Sequence, residues 1–271
     1  MFSLNDKTAI VTGAGGYFGK AFTKGLLAAG SKVVLFGRGD KIKNLSKQFS
    51  NEYGNDKVDY CQVNFYETER YKSLLIETIL KNKTIDILVN NSFDFSKDTG
   101  FNDPSGRIEN MSKQQCQKSF ESGVYWHFLA TQVVGEKMKE KKNGSIINIS
   151  SMYGIVSPDP DLYEGTELFN PPIYSVAKSA ILALTRYTAS FYGKYNVRCN
   201  AIVPGAFPNI DPNAFNAPKD DFFIERLRQK TVLKRVGKVE DLLGALIFLA
   251  SDSSSYMTGQ SIVVDGGWII K

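Results

Sequence analysis

"TGAGGYFG", residues 12–19, sits between a short apolar run, "KTAIVT" (7–12), and a stretch that continues with helical periodicity through Ala29. Its glycines decide how the chain is read. As Gly-x-Gly-x-x-Gly the stretch fails, because Phe18 stands where the third glycine belongs; the spacing that fits is Gly13, Gly16 and Gly19. A helix start exposes unpaired N–H groups and about half a positive charge, which suits a pyrophosphate. In that role Gly13 makes the tight turn, Gly16 lets backbone approach the phosphates, and Gly19 lets the helix pack on the sheet. A glycine-rich strand–helix turn with no ligand is the plainer alternative, and the strand-then-helix context weighs against it.

The rest of the chain repeats the unit. Apolar runs at 7–12, 31–36, 57–63, 85–90, 144–150, 197–203 and 261–264 read as strands. Most lack polar/apolar alternation, as expected where helices cover both faces of a parallel sheet. Helical patterns at 17–29, 67–82, 112–141, 173–193 and 239–251 lie between them. The pattern predicts an α/β fold: one domain over residues 1–271, with a doubly wound parallel sheet of Rossmann type and helices on both faces. Two long irregular segments, 152–172 and 204–222, follow strand ends on the edge where such sheets bind ligands. Leu162, Tyr163, Leu168 and Phe169 give the first enough apolar surface to pack in an ordered form.

Composition excludes several classes. With 42% hydrophobic and 23% charged residues the chain can bury a full core. The net charge of +5 is spread among acids, as in "KIKNLSKQFSNEYGNDK" (41–57), which predicts no nucleic-acid partner. Cys61, Cys116 and Cys199 have no disulfide or metal spacing, and His127, the single histidine, lies in an aromatic helical run as a packing residue. No metal site is expected. "LLGALIFLA" (242–250) is too short to span a bilayer, and a strand pattern opens almost at the first residue, so the expectation is a cytoplasmic protein with no membrane partner.

The second strand ends "VLFGRGD" (34–40). An acid here would grip the ribose hydroxyls of NAD, but Gly37 holds that place and Arg38 follows. A guanidinium suits a 2′-phosphate, so NADP is favoured. Asp40 leaves NAD open, although it reads better as the N-cap of the next helix.

"YSVAK" places Tyr174 and Lys178 one turn apart on one helix face, and "NISS" (148–151) ends a core strand upstream. A free tyrosine titrates near ~10, and lowering that by three units takes roughly 4 kcal/mol. An ammonium about 4 Å away supplies energy of that order at an effective dielectric near 20. The pair therefore predicts a depressed tyrosine pKa and acid–base work on an alcohol or carbonyl. Of Ser150 and Ser151, the second, one residue past the strand, is the choice to hold the substrate oxygen.

Together with "ILVNN" (87–91), "VRCNAIVPG" (197–205) and "MTGQSIVVDGGW" (257–268), these motifs make the whole chain resemble the short-chain dehydrogenase/reductase family. The resemblance implies hydride transfer with NAD(P), with Ser151, Tyr174 and Lys178 catalytic and Lys178 also on the nicotinamide ribose. It implies a cofactor site of Gly13, Gly16, Tyr17, Phe18, Gly19, Arg38, Asn64, Phe65, Asn90, Tyr174, Lys178, Pro204 and Gly205. It also implies a homodimer or homotetramer.

Departures from the family pattern narrow the reading. The glycine spacing resembles that of longer members that process nucleotide sugars, whereas compact members place glycine where Tyr17 stands. Between Ser151 and Tyr174 lie 22 residues, more than compact members have. The added "PDPDLYEGTELFNPP" (158–172) resembles a loop in dehydrogenases associated with flagellin modification and nonulosonic sugar biosynthesis. Its acids Asp159, Asp161, Glu164 and Glu167 are either ligands for a sugar derivative or a solvated lid; Tyr163 and Glu164 are the candidate substrate residues, with Ser151. Gly123 stands where the family has an active-site asparagine of a water-linked proton relay, Ser92–Phe93 replaces small residues, and Asn209 replaces a threonine. The leading expectation is an alcohol/ketone oxidoreductase for a sugar phosphate or nucleotide sugar. A 3-oxoacyl or general carbonyl reductase is the alternative, favoured by Phe207, Phe215, Phe222 and Phe223. A non-catalytic dinucleotide sensor or scaffold is the third.

Overall fold

The computed structural model describes residues 2–166, 168–210 and 221–271. Seven strands form one sheet: β1 (Thr8–Thr12), β2 (Lys32–Gly37), β3 (Val58–Gln62), β4 (Ile87–Asn90), β5 (Gly144–Ile149), β6 (Val197–Pro204) and β7 (Ser261–Val264). Their order is β3-β2-β1-β4-β5-β6-β7, and every pairing is parallel. This is the expected Rossmann-type architecture.

Alternate residues along each inner strand face opposite layers, and both layers are apolar. Ala9, Val11, Val33, Leu35 and Val89 pack on Phe22 and Leu26 of α1 (Tyr17–Ala28), Phe49 of α2 (Gly39–Tyr53) and Leu246 of α8 (Leu243–Ala250). Ile10, Val34, Phe36 and Leu88 face the other way. They meet Leu75 of α3 (Thr68–Asn82), Trp126 and Val134 of α5 (Trp126–Lys141), and Tyr192 of α6 (Pro172–Tyr192). Two buried faces per strand explain why the runs carry no alternation.

The strand order reverses between β1 and β4, so their carboxyl ends diverge in connection and leave a crevice. Cross-links hold its floor. Thr12 Oγ1 donates to the Val89 carbonyl at 3.3 Å and accepts from the Asn91 N–H at 3.0 Å, and the Asn91 amide donates to the Thr12 carbonyl at 3.1 Å.

Three sequence expectations need correction. The helix read over 112–141 is three pieces: α4 (Lys113–Phe120), a π turn (Glu121–Tyr125) and α5. Asp40 is not an N-cap; Arg38 holds that position and Asp40 lies in the first turn of α2, where its carboxylate still meets the positive helix end. Residues 91–112 form a third long connection that the hydrophobic pattern did not mark. It contains only short 3₁₀ turns, Lys97–Thr99 and Pro104–Gly106. The loop after Ser151 is ordered as expected, with Leu162 buried and Tyr163 and Leu168 packed beside it. Of the segment 204–222, residues 211–220, including Phe215, lie outside the described residues, and α7 (Asp221–Lys230) follows.

The contact of α1 with the loop before it is tight. A Cβ on Gly19 would lie 2.2 Å from the Gly13 carbonyl oxygen and 2.7 Å from the Ala14 Cα. Gly19→Ala should therefore lower unfolding stability in urea by about 2 kcal/mol or more, the scale of a forced backbone shift. Unchanged stability would contradict this packing.

Candidate active site

The β1/β4 crevice opens into a cleft of about 400 Å³. Its floor is backbone. Gly13 adopts φ +65°, where glycine is favoured, and a Cβ there would meet the Ser92 Cα at 2.9 Å. Gly16 donates its N–H to the Gly13 carbonyl at 3.0 Å and starts α1 with no side-chain cap. Tyr17 and Phe18 line the cleft, Phe18 with its ring edge-on to Phe207 at 5.7 Å. Gly19 acts from behind, through the packing just described. Bare backbone at a helix start with cations at one end fits a dinucleotide phosphate chain.

Those cations are Arg38 and Lys41. Arg38 is half-exposed, with one guanidinium nitrogen 3.5 Å from the buried carboxylate of Asp94. Asp94 is itself held by the Tyr66 hydroxyl at 2.8 Å and the Ser96 N–H at 3.2 Å. Phe65 lines the cleft, stacked on Trp126 at 5.0 Å. Asn64 lies outside it, exposed, with its amide on Glu67 at 3.3 Å. Asn90 is buried, its amide donating to Thr131 Oγ1 at 3.0 Å and Asn148 Oδ1 at 2.9 Å. Strand parity explains this: Asn90 faces the α5 layer, and its neighbour Asn91 reaches the cleft.

Tyr174 stands where this cleft meets a second, of about 250 Å³, also lined by Ser151, Tyr153, Tyr163, Asn170 and Phe223. Pro204 and Gly205 line the second cleft, not the first. Ser150 and Ser151 differ in what their hydroxyls do. Ser150 Oγ donates to the Lys178 carbonyl at 2.8 Å and is used in holding α6. Ser151 Oγ accepts from the Tyr153 N–H at 3.2 Å and lines the second cleft together with Tyr174.

Lys178 is buried and donates to the Ile149 carbonyl at 2.9 Å, the last residue of β5. Burial pushes its pKa down to about 7. Burial likewise pushes Tyr174 up to about 12, with the Ser151 hydrogen bond acting in the opposite direction and Tyr163 adding to the rise. The expected depression of the tyrosine by the lysine is thus corrected. Spacing predicted an attraction between the charges, whereas burial is the largest influence on each group and disfavours both charged forms. His127 is buried as a packing residue, its Nε2–H donating to the Ser92 carbonyl at 2.8 Å, and burial holds it down at about 3.

Three phenylalanines from the 91–112 connection enclose the Tyr174 ring. Ring centroids lie at 5.2 Å for Phe93, 6.2 Å for Phe95 and 5.1 Å for Phe101. Phe93 also lies 5.4 Å from the Lys178 ammonium. It fits because residue 123 has no side chain: a Cβ on Gly123 would meet the Phe93 Cε2 and the Ala177 Cβ, each at 2.9 Å. The two departures from the family pattern are therefore one steric exchange. Lys41, Trp126, Phe95 and Phe101 were not singled out by sequence reasoning, and Phe93 was marked only as a departure from the family pattern. Asn91, as half of a doublet, carried a usable signal.

The described acids of the 158–172 segment, Asp159, Asp161 and Glu164, lie at the surface. Asp159 pairs with Lys230 at 2.5 Å. Asp161 and Glu164 are exposed, and the Glu164 carbonyl accepts from Arg226 at 2.5 Å. Glu167 lies outside the described residues. Asn209 is half-buried near the end of β6. Among the described residues no cluster could hold a metal ion, and no helix is long and apolar enough to cross a membrane.

Residues 13–269 match the family model described as enoyl-(acyl carrier protein) reductase. The chain is 31% identical to a 7alpha-hydroxysteroid dehydrogenase of Bacteroides fragilis, over 100% of this chain and 97% of that protein. It is 29% identical to the post-translational flagellin modification protein A of Campylobacter coli, over 98% and 99%. Among solved structures, a gluconate 5-dehydrogenase from Burkholderia cenocepacia in complex with NADP and tartrate superposes with a TM-score of 0.84 at 26% identity, over 100% and 98% of the two chains. Fold, site and relatives agree that the chain belongs to the short-chain dehydrogenase/reductase family. It is an NAD(P)-dependent oxidoreductase.

The buried lysine has a consequence for stability. Its folded pKa, about 7, lies below its ordinary 10.5, so between these values the unfolded chain binds more protons and stability rises with pH. Lys178→Met should stabilise the fold at pH 6, by at most roughly 5 kcal/mol, and the gain should shrink steadily toward pH 10. A gain that does not vary with pH would contradict burial of the charge.

Proposed function

We propose that the chain interconverts a secondary alcohol and a ketone on a small sugar derivative, with NADP as the preferred hydride carrier. The observation that carries this reading is the position of Tyr174, which lines both clefts and shares the second with Ser151. Ser151 donates to the substrate oxygen as charge develops on it. Tyr174 gives that oxygen a proton in reduction and takes one in oxidation. Lys178 lies behind the tyrosine, with its ammonium 5.7 Å from the ring centre. When bound, the nucleotide would supply or accept the hydride; the phenol is kept in its neutral form chiefly by burial.

The residues toward the nucleotide are Gly13, Gly16, Tyr17, Phe18 and Phe65 along the cleft, with Arg38 and Lys41 at the 2′-phosphate. The NADP carried by the Burkholderia enzyme supports this choice. A sugar substrate is supported by the likeness to the flagellin modification protein and to the gluconate enzyme. A second reading, a general carbonyl or 3-oxoacyl reductase, draws on the apolar wall formed by Phe207, Phe223 and Leu227 and on the description of the matching family. The chain works in the cytoplasm, where its three free cysteines stay reduced. It works as a homodimer or homotetramer; the exposed, stacked Tyr187 and Phe191 on α6 support a mating face.

Fluorescence titration should give an NADPH dissociation constant at least about tenfold below that of NADH, the worth of one charge-assisted contact. Arg38→Ala with Lys41→Ala should erase the difference while leaving NADH binding in place. An intact preference in that variant would put the 2′-phosphate elsewhere. With a substrate found by screening sugars, ketones and acyl thioesters, Tyr174→Phe should cut turnover by roughly 10²-fold or more and spare NADPH binding. Unchanged turnover would sink the mechanism.

A further inference from the structure

The second cleft contains a hydroxyl pair that the reaction does not use. Tyr153 and Tyr163 bring their phenol oxygens to 3.1 Å, and the Asn170 amide donates to the Tyr163 oxygen at 2.5 Å. Neither ring is free to drift. Tyr153 follows Ser151 by two residues and its N–H is bonded to Ser151 Oγ, so this phenol is locked to the group that holds the reacting oxygen. Tyr163 ends a 3₁₀ turn, Pro160–Tyr163, packs with its ring tilted against Phe223 at 5.7 Å, and its carbonyl accepts from the Thr166 N–H at 3.0 Å.

Hydrogen counting shows what the pair offers. Two phenols bring two O–H hydrogens, and the contact between them takes one. Asn170 adds a donor to the Tyr163 oxygen and takes no hydrogen up. One phenolic hydrogen is therefore unspent whichever ring donates to the other, and both tyrosines line the cleft that holds Ser151 and the acid–base residue Tyr174. A buried polar hydrogen facing a binding cleft is matched when the ligand brings an acceptor.

We propose that the Tyr153–Tyr163 pair, braced by Asn170, is a specificity site that donates to a second substrate oxygen, on the carbon next to the reacting one. The substrate class is then a vicinal diol and its α-hydroxy ketone. This rests on the alcohol/ketone reading above and narrows it. The cleft has a volume of about 250 Å³ and carries Ser151, Tyr153, Tyr163 and Tyr174 in its lining.

The test is calorimetric titration of the NADP-saturated protein with cis-1,2-cyclohexanediol and with cyclohexanol, which lacks the second oxygen. The wild type should bind the diol at least about tenfold more tightly, the scale of one buried hydrogen bond. Tyr153→Phe and Tyr163→Phe should each keep that preference within about threefold, because either remaining phenol supplies the one hydrogen. The double variant should bind both compounds equally, and NADPH titration of each variant verifies the first cleft. Equal binding of the two compounds by the wild type, including no binding of either, overturns the proposal, as does a double variant that still prefers the diol. Failure of the alcohol/ketone reading is separate: it would appear as no turnover across the substrate screen by a protein that binds NADPH.

Discussion

A lysine ammonium buried against one backbone carbonyl governs the geometry of this site. Lys178 reaches from α6 to the carbonyl of Ile149, where β5 ends, and the Ser150 hydroxyl returns the contact to the Lys178 carbonyl. These two bonds fix the helix on the strand end. Tyr174, one turn earlier, is thereby set beside Ser151, and the two clefts meet at its hydroxyl. The cost is desolvation. A charge held this way sits near its titration point, and the neighbouring phenol is driven up and away from neutrality. The resting site is an uncharged acid beside a readily neutralised base, and charge has to arrive with the nucleotide.

The surroundings keep it dry. Phe93, Phe95 and Phe101 enclose the Tyr174 ring, and the first of them occupies space left by the missing side chain of residue 123. An asparagine could not enter there without displacing Phe93. The π turn at Glu121–Tyr125 carries this glycine past the phenylalanine and resumes as α5. Asp94, between Phe93 and Phe95, meets Arg38 at the far end of the nucleotide cleft. One connection therefore contributes to the wall of the tyrosine and to the orientation of the cation assigned to the 2′-phosphate.

Much of this was legible in the sequence, for physical reasons. Inner strands buried on both faces are uniformly apolar, and the edge strands β3 and β7 keep short apolar runs although partly exposed, so all seven were found to within about two residues. Tyr174 and Lys178 share a face because helix geometry requires it, and the glycines of the first turn are set by close backbone approach. What was not legible depends on the fold. That Asn91, and not Asn90, faces the cleft depends on where β4 stops. That Asp159 turns to Lys230 depends on where α7 packs. The aromatic enclosure joins residues 93–101 to a helix more than seventy positions later, and no local pattern reports such a contact. The tyrosine pKa was misread because spacing shows the attraction of an opposite charge and is silent about the water both groups lose.

The central claim is that burial keeps Tyr174 protonated until positive charge is brought beside it. Ultraviolet difference titration of the wild type against Tyr174→Phe, with and without saturating NADP⁺, measures this directly. The account predicts no Tyr174 phenolate signal below pH 10 in the free protein, and one equivalent well below that pH with NADP⁺ bound. Ionisation near neutral pH in the free protein, or the same titration curve in both states, would contradict it.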